Sequence, residues 1–80
     1  MNLVVLTPDK EIFKGSIRSV QVPGISGMFE VLRNHAPIVS ALTAGTVRII
    51  LDNGEKSTID IKKGFIEVLK NEISILVQTA

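Results

Sequence analysis

Eighty residues make room for one small domain, 1–80, and for no separate catalytic or regulatory module. Hydrophobic residues make up 45% and charged residues 21%, which excludes a disordered chain, and the absence of cysteine excludes disulfides and thiolate metal sites. Nine basic against eight acidic residues leave a net charge of +1, which argues against a nucleic-acid surface, as does the lack of Trp and Tyr.

The residue mix points to strands, because 25 of the 80 residues are Val, Ile or Thr, whose branched Cβ suits a pleated surface. Leu3 to Leu6 is apolar on both faces, as in a strand covered on two sides. After the Pro8-Asp9 turn, Ile12-Phe13 reads as a short strand. Ser16 to Val22 alternates through Arg18, Val20 and Val22, with Ile17 out of phase, the mark of a bulge. Met28 to Leu32 follows a Gly24-x-x-Gly27 turn. Ile38 to Leu42 has helical spacing at its ends, but Pro37 and Gly45 leave barely two helical turns, so a strand is favoured.

The second half is more regular. Val47, Ile49 and Leu51 share one face of a strand over Thr46 to Asp52, and Asp52-Asn53-Gly54 supplies a tight turn. The return strand, Glu55 to Ile61, turns its Ile59 and Ile61 inward. A turn at Lys62-Lys63 leads into Phe65 to Leu69, and Lys70-Asn71 turns the chain into Glu72 to Gln78, where Ile73, Ile75 and Val77 share a face. The expected fold is all-β: a small two-sheet β-sandwich of roughly nine to ten short, mostly antiparallel strands, ending in a four-strand meander. No apolar run approaches the roughly 20 residues of a membrane span, and the N-terminus lacks a signal-peptide pattern, so a cytosol-facing soluble domain is expected.

Chemistry is hard to find. His35 is the single histidine, and no serine lies in a nucleophile-elbow pattern, so a turn histidine bonded to backbone near Pro37 is the better reading. Gly24-x-x-Gly27 lacks the Gly-Lys-Ser/Thr ending of a phosphate loop and precedes no helix. Lys62-Lys63 reads as a solvated loop and Glu67 as an outward acid. Met28 and Phe29 face opposite ways on one strand beside a turn, which marks either a contact surface or a core covered on both sides. Catalytic, cofactor and metal residues are expected to be none, and an interaction module is the natural class.

The stretch Gly24-Ile25-Ser26-Gly27-Met28-Phe29-Glu30-Val31-Leu32-Arg33-Asn34-His35-Ala36-Pro37, closed by Gly45, resembles the signature of the epsilon subunit of F-type ATP synthases. Leu3 to Pro8 with Ile12-Phe13 is similar to the family's opening strands, and Gly64 to Val68 with Ile73 to Val77 and Thr79-Ala80 to its closing hairpin. Two departures fall in the signature: Glu30 stands where the family usually has Gly, and Arg33 where it often has Pro. Typical members continue into a C-terminal helical hairpin that restrains ATP hydrolysis and in some members binds ATP. Residues 1–80 contain no counterpart of it, so neither activity is implied here.

The resemblance implies a non-catalytic central-stalk (rotor) part that binds the gamma subunit and the membrane c-ring, couples ion-driven rotation to ATP synthesis, and lies on the cytoplasmic side of the bacterial inner membrane. It implies c-ring contact through Ser26, Gly27, Met28, Phe29 and Glu30, with Met28 or Phe29 as the apolar anchor, and gamma contact near His35 and Ser40. The alternative is a stand-alone β-sandwich adaptor that binds a peptide along a strand edge.

Overall fold

The computed structural model describes residues 1–80. It contains seven strands and no helix: β1 (Asn2–Leu6), β2 (Glu11–Gly24), β3 (Gly27–Val31), β4 (Ile38–Leu42), β5 (Gly45–Leu51), β6 (Lys56–Leu69) and β7 (Glu72–Thr79). Their pairing resolves into two layers. In the first sheet the opening half of β2 pairs with β1, β1 runs parallel to β7, and β7 pairs with the closing half of β6, which pairs with β4. In the second, β3 pairs with the closing half of β2, which pairs with β5, and β5 pairs with the opening half of β6. All ladders but the β1–β7 pair are antiparallel.

The two 14-residue strands, β2 and β6, therefore belong to both sheets. This is why short segments that read as separate strands are continuous. Ile12-Phe13 and Ser16–Val22 are both parts of β2, and Glu55–Ile61 and Phe65–Leu69 are joined through β6 rather than by a hairpin. The Lys62-Lys63 turn and the four-strand meander are thus replaced by one bent strand. Each bend is a bulge, where one extra residue kinks a strand and sharpens its twist. Ile17 pairs with Leu51 and Ser19 with Ile50, so Arg18 is extra. Ile61 pairs with Thr79 and Lys63 with Gln78, so Lys62 is extra.

An extra residue also reverses the inward phase of a strand whose side chains alternate. Along β2 the buried Ile17 gives way to buried Val20 and Val22; along β6 Ile61 gives way to Ile66 and Val68. The out-of-phase Ile17 expected to mark a bulge does sit beside one. Just after the β6 bend the β7 backbone comes so close that a Cβ on Gly64 would collide with the Leu76 carbonyl oxygen and press on Val77.

Between the sheets lie sixteen buried apolar residues, almost all aliphatic, with Ile12, Phe13, Phe29, Ile38, Leu51 and Ile59 packed against them. Val47, Ile49 and Ile61 line the second sheet, and Ile73, Ile75 and Val77 the first, all on the faces their alternation predicts. Ile38–Leu42 is the strand β4. The β6–β7 turn places Lys70 and Asn71 at φ of 51° and 63°, the twisted two-residue turn that suits flanking strands. The β5–β6 connection is a four-residue loop, Asp52 to Glu55, in which Gly54 N–H donates to the Leu51 carbonyl at 2.9 Å.

Ile49 is fully enclosed, so Ile49→Asp leaves an unpaired charge in the core at a cost of several kcal/mol, about the whole stability of a small domain. Loss of a cooperative thermal transition is the expected outcome. A melt near that of the unsubstituted chain would contradict this placement of Ile49.

Candidate functional site

Strands β2 and β3 meet in a two-residue turn, Ile25-Ser26, with Gly24 and Gly27 directly opposed. A Cβ on Gly24 would lie 2.8 Å from the Gly27 carbonyl oxygen and 2.9 Å from the Phe29 ring, so only glycine admits both the turn and the ring. The ring thus lies across the Gly24 backbone and against the core, half-buried. Met28, on the other face of β3, is 56% exposed, and Ile25 at the tip is 68% exposed. Of the pair Met28 and Phe29, Met28 is the outward one. Ser26, Gly27 and Glu30 are exposed as well, so Ser26 to Glu30 form one continuous tip in which only Phe29 turns inward.

The tip is tied to β4. Thr43 N–H donates to the Pro23 carbonyl at 2.8 Å and Ile25 N–H to the Ala41 carbonyl at 3.3 Å. His35 lies in the loop before β4 and Ser40 within it, both half-buried. The His35 Nδ1 is 2.7 Å from the Ala36 carbonyl oxygen. A carbonyl only accepts, so Nδ1 carries the proton in this bond. His35 N–H in turn donates to the Leu32 carbonyl at 3.1 Å, which makes it the turn histidine its neighbours suggest. Ser40 Oγ donates to the Ala41 carbonyl at 3.4 Å, so Ser40 and His35 form no nucleophile–base pair. No cluster of three or more His, Asp or Glu is placed to hold a metal ion.

Two asparagines lock this loop to the far end of the first sheet. Asn34 N–H donates to Asn71 Oδ1 at 2.7 Å, and Asn71 Nδ2 donates to Asn34 Oδ1 at 3.3 Å. Both residues have positive φ, near 66° and 63°, where asparagine is tolerated better than most side chains.

A second surface escapes sequence reasoning. Register on the outer side of the first sheet sets Ala41 opposite Phe65, Phe65 opposite Leu76 and Leu76 beside Leu6, one apolar row across four strands. Phe65 is 59% exposed, and Val39, one outward position away along β4, is 71% exposed. Leu69 extends the patch along β6. Contiguous apolar area of this kind on a small domain marks a contact surface. Ala41 joins the patch to the tip through its bond to Ile25. The available signal was Ile75-Leu76-Val77, apolar on both faces where one inward face needs only alternate residues. Glu67 is exposed on this outer face, as expected of an outward acid.

Comparison with known proteins agrees with the all-β fold. The profile of the ATP synthase delta/epsilon chain β-sandwich domain matches residues 1–80. The chain belongs to that family. It is 42% identical over 76 residues to the ATP synthase epsilon chain of Chlorobaculum tepidum, covering 95% of this chain and 86% of that one. The epsilon chain of Leptospira borgpetersenii is 44% identical over 77 residues, again 95% of this chain but 59% of the relative. A subunit in the Euglena gracilis mitochondrial ATP synthase superposes with a TM-score of 0.88 at 23% identity, covering 94% of this chain and 48% of that one. One in the Tetrahymena thermophila central stalk/c-ring assembly gives 0.79 at 19%, covering 98% and 63%. These two likenesses establish the two-sheet fold.

Asn71→Gly keeps the positive φ available while removing both bonds to Asn34. It is expected to cost about 1 kcal/mol and to speed hydrogen exchange at the Asn34 amide, with the β6–β7 turn intact. Unchanged protection of that amide would show that the asparagine pair does not hold the loop.

Proposed function

We propose that residues 1–80 form the β-sandwich domain of an ATP synthase epsilon subunit, a non-catalytic part of the central stalk that turns with the rotor. The carrying observation is the match along nearly the whole chain to relatives named ATP synthase epsilon chain, at 37 to 44% identity. The physical demand on such a part is stiffness and adhesion. A sandwich whose sheets share two strands resists shear between layers, and its exposed apolar surfaces supply the adhesion.

In this reading the tip, Ser26, Gly27, Met28, Phe29 and Glu30, seats on the polar loops of the c-ring. The exposed Met28 is the apolar anchor, Phe29 braces the turn from inside, and Glu30 pairs with a basic loop residue of the ring. The gamma subunit covers the loop at His35 and the strand at Ser40. The neighbouring apolar row through Ala41, Phe65 and Leu76 supports that assignment, because a partner engaging β4 from outside would cover it too. The chain then lies peripherally on the cytoplasmic side of the bacterial inner membrane, held by its partners. No helix is long and apolar enough to cross a membrane.

A second reading rests on the edge of β4, which beyond the single Gly24–Leu42 pairing has a neighbour, β6, on one side only. A free-standing adaptor would add a partner's strand there.

Affinity purification of the chain from native membranes separates the two readings. Recovery of gamma and c subunits is expected, and Met28→Asp is expected to reduce c-ring recovery by about tenfold or more, with unchanged melting. Phe65→Asp is expected to reduce gamma recovery in the same way. Recovery of a soluble peptide-bearing partner without gamma or c would support the adaptor instead. Undiminished c-ring recovery by the Met28 variant would overturn the placement of the tip.

A further inference from the structure

The solvent side of the second sheet carries a groove that the apolar face does not reach and that the tip borders only at Glu30. Register across four strands places Glu30 opposite Gln21, Gln21 opposite Arg48 and Arg48 opposite Thr58. The adjacent row is Ser19, Ile50 and Lys56. Arg48 and Lys56 are therefore diagonal cross-strand neighbours, a separation that long side chains bridge. A cavity of about 220 Å³ lies among Ser19, Gln21, Glu30, Arg48, Lys56 and Thr58.

Ser19 is the only buried polar residue of the molecule, 4% exposed. Its hydroxyl makes none of the protein's side-chain hydrogen bonds. Yet no fully enclosed side-chain oxygen or nitrogen is left without a partner. The hydroxyl must then open onto the floor of the cavity it lines. Arg18, by comparison, donates to the Asp52 carbonyl at 3.0 Å, whereas neither Arg48 nor Lys56 has an acceptor.

A guanidinium that binds two oxygens at once, an ammonium that acts as a point charge, and neutral donors from Ser19, Thr58 and Gln21 make a donor set suited to a tetrahedral oxyanion. We propose that this groove binds a phosphate group, either free inorganic phosphate or the phosphate monoester of a lipid headgroup. Glu30 stands two strands from Arg48, about 10 Å between backbones, and its carboxylate competes with the ligand for the guanidinium. The inference is independent of the rotor reading and survives if that reading fails.

The test follows the ¹⁵N spectrum of the whole chain while inorganic phosphate replaces chloride at constant ionic strength, above neutral pH. Saturable shifts confined to Ser19, Gln21, Arg48, Lys56, Thr58 and their neighbours are expected. Arg48→Gln is expected to weaken binding about tenfold, and Glu30→Gln to tighten it a few-fold, with both variants melting like the unsubstituted chain. The opposite signs of these two effects separate a built site from general charge. A second arm measures co-sedimentation with phosphatidylcholine vesicles containing phosphatidic acid. Sedimentation that phosphate displaces and Arg48→Gln abolishes assigns the ligand to a lipid headgroup; phosphate binding without sedimentation assigns it to the free ion. Non-saturating shifts spread over Lys62 and Lys63, or equal affinity in all three chains, would overturn the proposal.

Discussion

Two strands hold this molecule together because each is a member of both sheets. Neither β2 nor β6 can be extended flat without pulling the layers apart. Each therefore carries one extra residue, Arg18 or Lys62, which bends the strand and reverses which side chains face inward. The reversal is what keeps apolar residues between the layers on both arms: Ile17 then Val20 and Val22, Ile61 then Ile66 and Val68. A chain of this length with no disulfide has little stability to spare. Covalent continuity between its layers substitutes in part for the larger core it lacks.

The same arrangement decides where partners can be met. Inward positions are taken by the core, so recognition falls to the turns and the outer faces. Gly24 and the Phe29 ring brace the tip from inside and leave Ile25 and Met28 outside. The β6 bend, with Gly64 against the β7 backbone, commits Ile66 and Val68 to the core and so turns Phe65 outward beside Leu76 and Ala41. The two apolar surfaces meet where Ile25 bonds to Ala41. A part that must adhere to two neighbours and move with them needs such surfaces on a body that does not deform. The Asn34–Asn71 pair extends that stiffness to the loop carrying His35.

Much of this was legible in the residues. Alternation in Val47-Ile49-Leu51 and Ile73-Ile75-Val77 placed both β5 and β7 and their inward faces, and Pro37 with Gly45 favoured a strand over a helix at Ile38–Leu42. Ile17 announced its bulge because its phase conflicts with Val20 and Val22. The same conflict between Ile61 and Ile66 passed as a hairpin turn, since Lys-Lys-Gly resembles loop composition and nothing local distinguishes a turn from a bend. The outer apolar face was hidden for a related reason. In Phe65-Ile66 either residue satisfies a core, and only the register with β7 shows that the smaller one takes it. Met28 and Phe29 posed the same choice, and the close approach at Gly24 resolves it. The basic groove depends on Arg48, Lys56 and Ser19 from three strands, a juxtaposition that exists only after the sheet forms.

Shared strands imply that the two sheets cannot open one at a time. Native-state hydrogen exchange under increasing denaturant reads this directly, by comparing amides in the first sheet, such as Ile66 and Ile75, with amides in the second, such as Val20 and Ile49. A single opening free energy for all four, equal to that of global unfolding, is the result this architecture requires. Separate free energies, with one sheet exchanging while the other stays protected, would contradict it.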